Sequence, residues 1–152
     1  NYMIISKGSS DGITEGAGVI TGKGAVGVID AVGENYSYAR SFRNHEMSIS
    51  ARLGRSGAVG PLSWDGRSSS GAILTEIPHH VEFQPGDTVY TSGYSSIFPA
   101  DIPLGTAGDA TIVNGATYEI KIRLFEDFGA LRHVTIVENL GSEEMKALEA
   151  QK

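Results

Sequence analysis

Apolar and polar positions alternate over short stretches along most of this chain. Between residues 46 and 53, every second residue from Met47 to Leu53 is apolar and the residues between them are polar. A strict period of two is typical of a strand with one buried and one solvated face. Comparable short runs recur, and we predict strands at 2–6, 19–21, 25–32, 36–42, 46–53, 57–64, 71–77, 88–91, 110–113, 116–124 and 134–137.

Turn residues separate these runs. Asn114-Gly115 is the strongest hairpin signal, because both residues accept the left-handed angles of a type I′ turn. Pro61 interrupts the 57–64 run and predicts an edge strand or a bulge there. Many short strands with almost no helix favour an all-β fold of small barrels or a sandwich.

The domain organisation follows from the same pattern. We predict a first β unit at 1–45 and a second, barrel-like β unit at 46–141, with a strand able to cross between them. A boundary nearer residue 78 is the alternative. Residues 142–152 are rich in Glu, Lys, Ala and Leu and form a polar, helix-forming tail too short to be stable alone.

Composition narrows the function classes. The 152 residues include 20 glycines, which suit tight turns, and the formal net charge of -6 argues against nucleic acid or an anionic membrane as a direct partner. There is no cysteine, so disulfides and thiolate chemistry are absent. No stretch reaches the roughly 20 apolar residues that cross a bilayer.

The chain is organised around residues 86–105. A Pro85-Gly86-Asp87 turn leads into a short strand, and a loop follows that carries large apolar side chains between small polar residues. Loops normally lie in water, so an apolar loop either packs onto its own domain as a plug or offers a surface to another protein. We predict a protein-interaction role for Tyr94, Ile97 and Phe98, and for Trp64.

An enzyme is the first alternative, because paired β-barrels can carry a Ser-His-Asp triad. The segment from Gly93 to Ile97 lacks the second glycine of a nucleophile elbow, and Gly86-Asp87 is followed by threonine. We therefore predict no catalytic residue. The residue types for a serine hydrolase are nevertheless present at His45, at Asp65 or Asp87, and at Ser92, Ser95 or Ser96.

Metal and cofactor sites have weaker support. His79 and His80 lie near Glu82, but neighbouring residues in a strand point apart, whereas zinc ligands are spaced on one face. Residues 22–27 match a dinucleotide-binding glycine pattern, yet a strand continues after them where that motif needs a helix. We predict no metal and no cofactor, and a Gly-rich β-turn at 22–27. A ligand-binding β domain with a deep polar pocket remains a further alternative.

Several blocks of the chain resemble one known family. The chain is similar to the MreC rod shape-determining family over nearly its whole length, apart from 125–128, where that pattern would have a Pro- or Ala-rich segment. The similar blocks are 7–13, 24–27, 56–64, 86–93, 97–99, 102–105 and 131–137.

The resemblance implies two small barrel-like or Greek-key β domains without enzymatic activity. It implies a place on the periplasmic face of the inner membrane, after a single membrane-spanning helix and a coiled coil that would precede this chain. The implied function is a scaffold of cell elongation that forms dimers or filaments. The implied partners are a penicillin-binding protein transpeptidase and membrane proteins of the MreD and RodA type.

Overall fold

A computed structural model describes residues 2–44, 46–137 and 148. Within these residues the chain forms strands and two one-turn 3₁₀ helices, at Ser9–Asp11 and Phe128–Ala130. The predicted all-β class is confirmed. The strands are β1 (Tyr2–Ile5), β2 (Gly18–Thr21), β3 (Gly24–Val32), β4 (Ser37–Ser41), β5 (Ser48–Leu53), β6 (Ala58–Trp64), β7 (Gly71–Pro78), β8 (Thr88–Thr91), β9 (Pro103–Val113), β10 (Thr117–Leu124) and β11 (Thr135–Val137).

The first sheet is antiparallel, with the strand order β1-β4-β3-β2-β11. β2 and β3 form a hairpin in which Thr21 pairs with Gly24, so the glycine-rich segment at 22–27 is a β-turn and the start of a strand, as predicted. β11 comes from the far end of the chain and places Ile136 opposite Val19 of β2. A late strand therefore completes the sheet that the first four strands begin.

The remaining strands close into a barrel in the order β10-β7-β6-β5-β8-β9. β9 and β10 form the predicted hairpin, and Asn114 and Gly115 adopt φ angles of 53° and 66°. Positive φ at both central residues is what a type I′ turn requires. The alternating pattern of β10 also holds, because Ile120 and Ile122 are buried while Lys121 and Arg123 face solvent.

Two strand predictions need correction. β9 begins at Pro103 and not at residue 110 as predicted. Its first half was missed because Gly105 and Gly108 interrupt the apolar alternation there. Pro61 was predicted to mark an edge strand or a bulge, but β6 lies between β5 and β7 and its register with β5 runs without a bulge. A closed barrel has no edge. Proline is tolerated here because the registered ladder between β6 and β7 starts one residue later, at Leu62.

The hydrophobic core runs from the barrel into the first sheet. Leu53, Leu74 and Ile120 lie at its centre, and the same cluster of buried side chains includes Ala25 of β3 and Phe42 beyond β4. A second, smaller cluster around Val19, Val26 and Ile29 lies within the first sheet. The two sheets are thus packed against each other through shared apolar contacts.

The predicted boundary at residue 45 falls between β4 and β5, which belong to different sheets. The division into a unit at 1–45 and a unit at 46–141 remains a proposal, because β11 joins the first sheet and the larger core cluster draws on both. The tail predicted at 142–152 lies outside the described residues, apart from the exposed Leu148.

Candidate protein-interaction site

The apolar loop predicted to organise the chain connects β8 to β9, and we call residues 92–102 the 92–102 loop. Its two halves are held together by Thr91, whose side chain is buried. The Thr91 hydroxyl donates to the Pro99 carbonyl at 2.7 Å and accepts from the Ile102 N–H at 2.9 Å. The Thr91 backbone also bonds to Ile102 and Asp101. One threonine therefore fixes the width of the loop at its base.

Serine hydroxyls shape the outer turn of the loop. Ser92 Oγ accepts the Tyr94 N–H at 3.1 Å and lies 2.8 Å from Ser50 Oγ on β5. Ser95 Oγ accepts the Ile97 N–H at 3.0 Å. Short-range bonds of this kind satisfy backbone groups that have no strand partner. The loop is consequently a built structure with a defined conformation.

Phe98 lies underneath the loop, with 2% of its surface exposed. Its ring centre is 5.8 Å from that of Phe42, and a Cβ atom at Gly18 of β2 would lie only 2.5 Å from its Cε1. Phe98 therefore reaches from the loop into the junction with the first sheet. Of the two roles left open by the sequence, this burial fits the plug, and a part for Phe98 itself in partner binding stays a prediction.

Tyr94 lies on the opposite side of the loop, with 76% of its surface exposed. Ile97 lies between these extremes, partly buried against the barrel core. A large aromatic side chain on a rigid support is the kind of group that anchors protein interfaces, because little conformational freedom is lost when it is covered. Tyr94 is thus the residue of the predicted set that the structure presents most openly.

An ion pair that the sequence did not reveal holds the far end of the loop. Arg52 of β5 bonds to Asp101 at 2.6 Å, and its guanidinium carbon lies 4.7 Å from the centre of the Tyr90 ring. Asp101 has a φ angle of 71°, which is uncommon for a residue with a side chain. No motif in the sequence signals this contact, because its partners are far apart along the chain.

Trp64, the last residue of β6, is partly buried. Its Nε1 donates to the Ser68 carbonyl at 2.7 Å, and the Arg43 guanidinium carbon lies 5.6 Å from the centre of its ring. Its ring also lines a small apolar cavity with Ala25 and Phe42. These contacts describe an indole that joins the barrel to the first sheet, and a part for Trp64 in partner binding stays a prediction.

Aromatic side chains also cover part of the outer surface of the first sheet, in segments that were predicted only as strands. Tyr2 stacks on Tyr38 with ring centres 4.9 Å apart. The exposed fractions are 49% for Tyr2, 72% for Ile4, 61% for Tyr36 and 43% for Tyr38. We call these four residues the aromatic face. The signal that could have revealed it is the spacing of two residues between Tyr2 and Ile4 and between Tyr36 and Tyr38.

The geometry does not favour a serine hydrolase. Ser92 pairs with another serine, and Ser95 accepts a backbone N–H. Asp65 accepts the N–H groups of residues 67 and 68, and Asp87 accepts that of residue 84, so both carboxylates stabilise turns. His45, the proposed base, lies outside the described residues. Among the described residues, the hydrogen bonds of Ser92, Asp65 and Asp87 thus go to a serine or to backbone N–H groups.

The other two site alternatives also gain no support. His79, His80 and Glu82 are exposed beside a surface hollow, and the described residues hold no group of three or more His, Cys, Asp or Glu side chains placed to bind a metal. Fully buried side chains such as Leu74 and Ile120 fill the barrel, where a ligand-binding domain would have a deep polar pocket.

Comparison with known proteins agrees with the resemblance seen in the sequence. The family model for the rod shape-determining protein MreC, barrel core, matches residues 1–138. This chain belongs to the MreC family. The family consists of cell shape-determining proteins and is not a known enzyme family.

Two curated relatives are cell shape-determining MreC proteins. The protein of Cereibacter sphaeroides is 29% identical over 135 residues, which are 89% of this chain and 43% of the relative. That of Listeria monocytogenes is 28% identical over 137 residues, which are 88% of this chain and 46% of the relative. The chain thus spans less than half the length of these MreC relatives.

Solved MreC structures share the fold. MreC of Listeria monocytogenes superposes with a TM-score of 0.84 at 27% identity, covering 91% of this chain and 68% of that one. MreC in a complex with the penicillin-binding protein PBP2 from Helicobacter pylori has a TM-score of 0.66 at 18% identity, covering 80% of this chain and 76% of that one. Among residues 2–44, 46–137 and 148, no helix is long and apolar enough to cross a membrane.

Proposed function

We propose that this chain is a non-enzymatic scaffold domain of the machinery that elongates the bacterial cell wall. In this role it works on the periplasmic face of the inner membrane, binds a penicillin-binding protein transpeptidase and associates with itself. Anchoring by an upstream helix, and contacts to MreD- and RodA-type membrane proteins, belong to the same proposal. It acts by binding other proteins through its surface and catalyses no reaction.

Known relatives support the proposed transpeptidase partner and the proposed periplasmic location. A structure of similar fold is that of MreC bound to PBP2 in Helicobacter pylori. Another, with a TM-score of 0.66 and 22% identity, is described as the major periplasmic domain of the cell shape-determining filament MreC. A shared fold leaves the binding residues open, because surfaces diverge faster than cores.

The observation that carries the site is the exposure of Tyr94 on a loop whose backbone is already fixed. Thr91 holds the base of the loop, the serine hydroxyls hold its turn, and Phe98 secures it from below. A preorganised loop loses little entropy on binding, so the area covered at Tyr94 contributes to affinity almost in full. We propose Tyr94, with the exposed part of Ile97 beside it in the chain, as the transpeptidase contact.

A titration tests this proposal. The periplasmic domain of the elongation transpeptidase from the same organism is titrated with this chain, with Tyr94→Ser and with Tyr36→Ser as a matched control on the other sheet. Loss of an aromatic anchor costs about 2 kcal/mol or more, so Kd should rise roughly 30-fold for Tyr94→Ser and stay unchanged for Tyr36→Ser. An unchanged Kd for Tyr94→Ser would reject the site, and no binding by the parent chain would reject the transpeptidase as partner.

A further inference from the structure

β1 is an edge strand of the first sheet. It pairs with β4 on one side, and on its other side the described residues provide no strand. Monomeric proteins commonly protect such an edge with a lysine or another charge, a proline or a bulge. Residues 2–6 read Tyr-Met-Ile-Ile-Ser and contain no charge and no proline, and the register between β1 and β4 runs without a bulge. The backbone of β1 is therefore an open template for a further strand.

The side chains around this edge suit contact with a second copy of the chain. The aromatic face is apolar, and the charge beside it is balanced, because Arg40 lies 3.7 Å from Asp30. Two copies with a net charge of -6 repel each other over most of their surfaces. A neutral apolar edge is where two such copies can approach at the lowest electrostatic cost.

We propose that β1 pairs antiparallel with β1 of a second copy, around a two-fold axis at Met3. This inference rests on the self-association in the proposed function and assigns it a surface. Residues that oppose each other across strands must point to the same face of the sheet. Tyr2 and Ile4 point outward while Met3 and Ile5 point inward, so an axis at Met3 satisfies this condition.

This register also pairs favourable side chains. Tyr2 of each copy lies opposite Ile4 of the partner subunit, and an aromatic residue beside a β-branched residue is a stabilising cross-strand pair. The two aromatic faces then join into one apolar surface on a continuous sheet. An edge pairing of this kind is isologous, because each copy contributes the same strand, and it closes as a dimer.

The area of the contact predicts its strength. The pairing joins strand edges and leaves the outward face of each sheet in water, so the area covered per copy is limited to the four-residue edge of β1 and the contacts between Tyr2 and Ile4. A stable complex covers about 800 Å² per partner. The β1 contact alone should therefore give a weak dimer that is populated only at high protein concentration. Sedimentation of the chain between micromolar and millimolar concentration should show the sedimentation coefficient rising.

Two lysine variants test whether β1 is the surface. Ile4→Lys introduces the missing charge on the edge, whereas Ile112→Lys makes the same change at another exposed isoleucine, on β9 of the barrel. The dimerisation constant should weaken about tenfold or more for Ile4→Lys, because the lysine replaces the isoleucine that opposes Tyr2 of the partner subunit and brings two like charges, one from each copy, onto the same short strand pair. It should stay unchanged for Ile112→Lys. A parent chain that is monomeric up to millimolar concentration, or an Ile4→Lys variant that dimerises like the parent, would overturn the proposal.

Cysteine crosslinking tests the register, and the chain offers a clean background because it contains no cysteine. Directly opposed residues on antiparallel strands have Cα atoms about 4.5–5.5 Å apart, within the range of a disulfide. Met3→Cys should form a covalent dimer on mild oxidation, and a mixture of Tyr2→Cys with Ile4→Cys should form a mixed one. Ile112→Cys should not exceed collisional crosslinking. Crosslinking of Ile4→Cys with itself instead of Met3→Cys would reject the axis at Met3.

The proposed function and this inference can fail separately. Ile4→Lys should bind the transpeptidase with the Kd of the parent chain, and Tyr94→Ser should dimerise like the parent. If the parent dimerises through β1 but binds no transpeptidase, the β1 pairing stands and the partner assignment falls. If it binds the transpeptidase and sediments as a monomer, the β1 pairing falls.

Discussion

The 92–102 loop and the aromatic face both expose large apolar side chains, but they are built in opposite ways. In the loop the apolar residues are divided, with Phe98 buried below and Tyr94 exposed above. On the aromatic face Tyr2, Ile4 and Tyr38 lie on the paired strands β1 and β4, Tyr36 directly precedes β4, and Tyr2 stacks on Tyr38. The loop is fixed by side-chain hydrogen bonds, whereas the aromatic face is fixed by the strand ladder beneath it.

This difference indicates two kinds of recognition. A single aromatic side chain on a shaped loop fits a pocket or groove of a different protein, because its complement need not resemble itself. A strand with an open backbone edge fits another strand, and a second copy of the same strand is the simplest complement. The two proposals thus assign a different kind of partner to each of the two regions. Substitutions that disturb one region and spare the other test whether the two are independent.

The largest expected effect concerns the support under the loop. Phe98→Ala should lower the free energy of unfolding by about 3–5 kcal/mol, because it leaves a cavity beside Phe42. For a chain of this length the Tm should fall by roughly 10 °C in a thermal melt. Tyr38→Ala on the aromatic face serves as the contrast, and it should change the Tm much less because its ring is partly exposed. Equal losses for the two variants would show that Phe98 is no plug.

A smaller effect is expected when the same contact is disturbed from the side of the first sheet. In Gly18→Ala the new Cβ would lie 2.5 Å from Phe98 Cε1, so the ring must move, at a cost of about 1–3 kcal/mol. Gly22→Ala is the control, because a Cβ there meets nothing within 4 Å. Chemical denaturation measures both. The double variant Gly18→Ala/Phe98→Ala should be less destabilised than the sum of the two single variants, because the methyl group fills part of the cavity. Additive losses would argue against direct contact.

Alternation and turn chemistry predicted most of the fold, because both act locally. Residues 46–53 and the Asn114-Gly115 turn carry their structure in neighbouring positions, and the structure agrees with them. Closure of the barrel around Pro61 could not be predicted in this way, since it depends on strands that are distant in sequence. The return of β11 to β2 is a long-range pairing of the same kind, which the sequence allowed without specifying.

The sequence marked the 92–102 loop as a candidate site but did not give the orientation of its side chains. The apolar composition of the 92–102 loop marked it as unusual, yet nothing local distinguishes Phe98, which points inward, from Tyr94, which points outward. The Phe98 ring packs against Gly18 of β2 and Phe42 beyond β4, and both are distant from the loop in sequence. Thr91 and Arg52 have ordinary sequence surroundings, so their roles in holding the loop emerge only in three dimensions.

The smallest expected effect depends on pH and falls on the segment that leads from the barrel back to the first sheet. A hydrogen bond from the Ser69 side chain, followed by that of the Gly129 N–H at 2.8 Å, holds the pKa of Asp127 below its ordinary value. A carboxyl with a lowered folded-state pKa stabilises the fold above its unfolded pKa, near 3.9, and loses this contribution as the pH falls through the folded value. Asp127→Asn removes the charge, so its deficit in Tm relative to the parent at pH 7 should shrink at about pH 3.

Amide hydrogen exchange of the parent chain locates the effect. Acidification should lower the protection of the Gly129 amide, which bonds to the titrating carboxylate. The Tyr94 and Ile97 amides should keep theirs after correction for the intrinsic pH dependence of exchange, because their acceptors are serine hydroxyls that do not titrate in this range. A loop that loses protection together with Gly129 would mean that the 92–102 loop and the returning segment open as one unit. The 92–102 loop and the aromatic face would then not be independent, since the same segment leads to β11 and the sheet that carries the aromatic face.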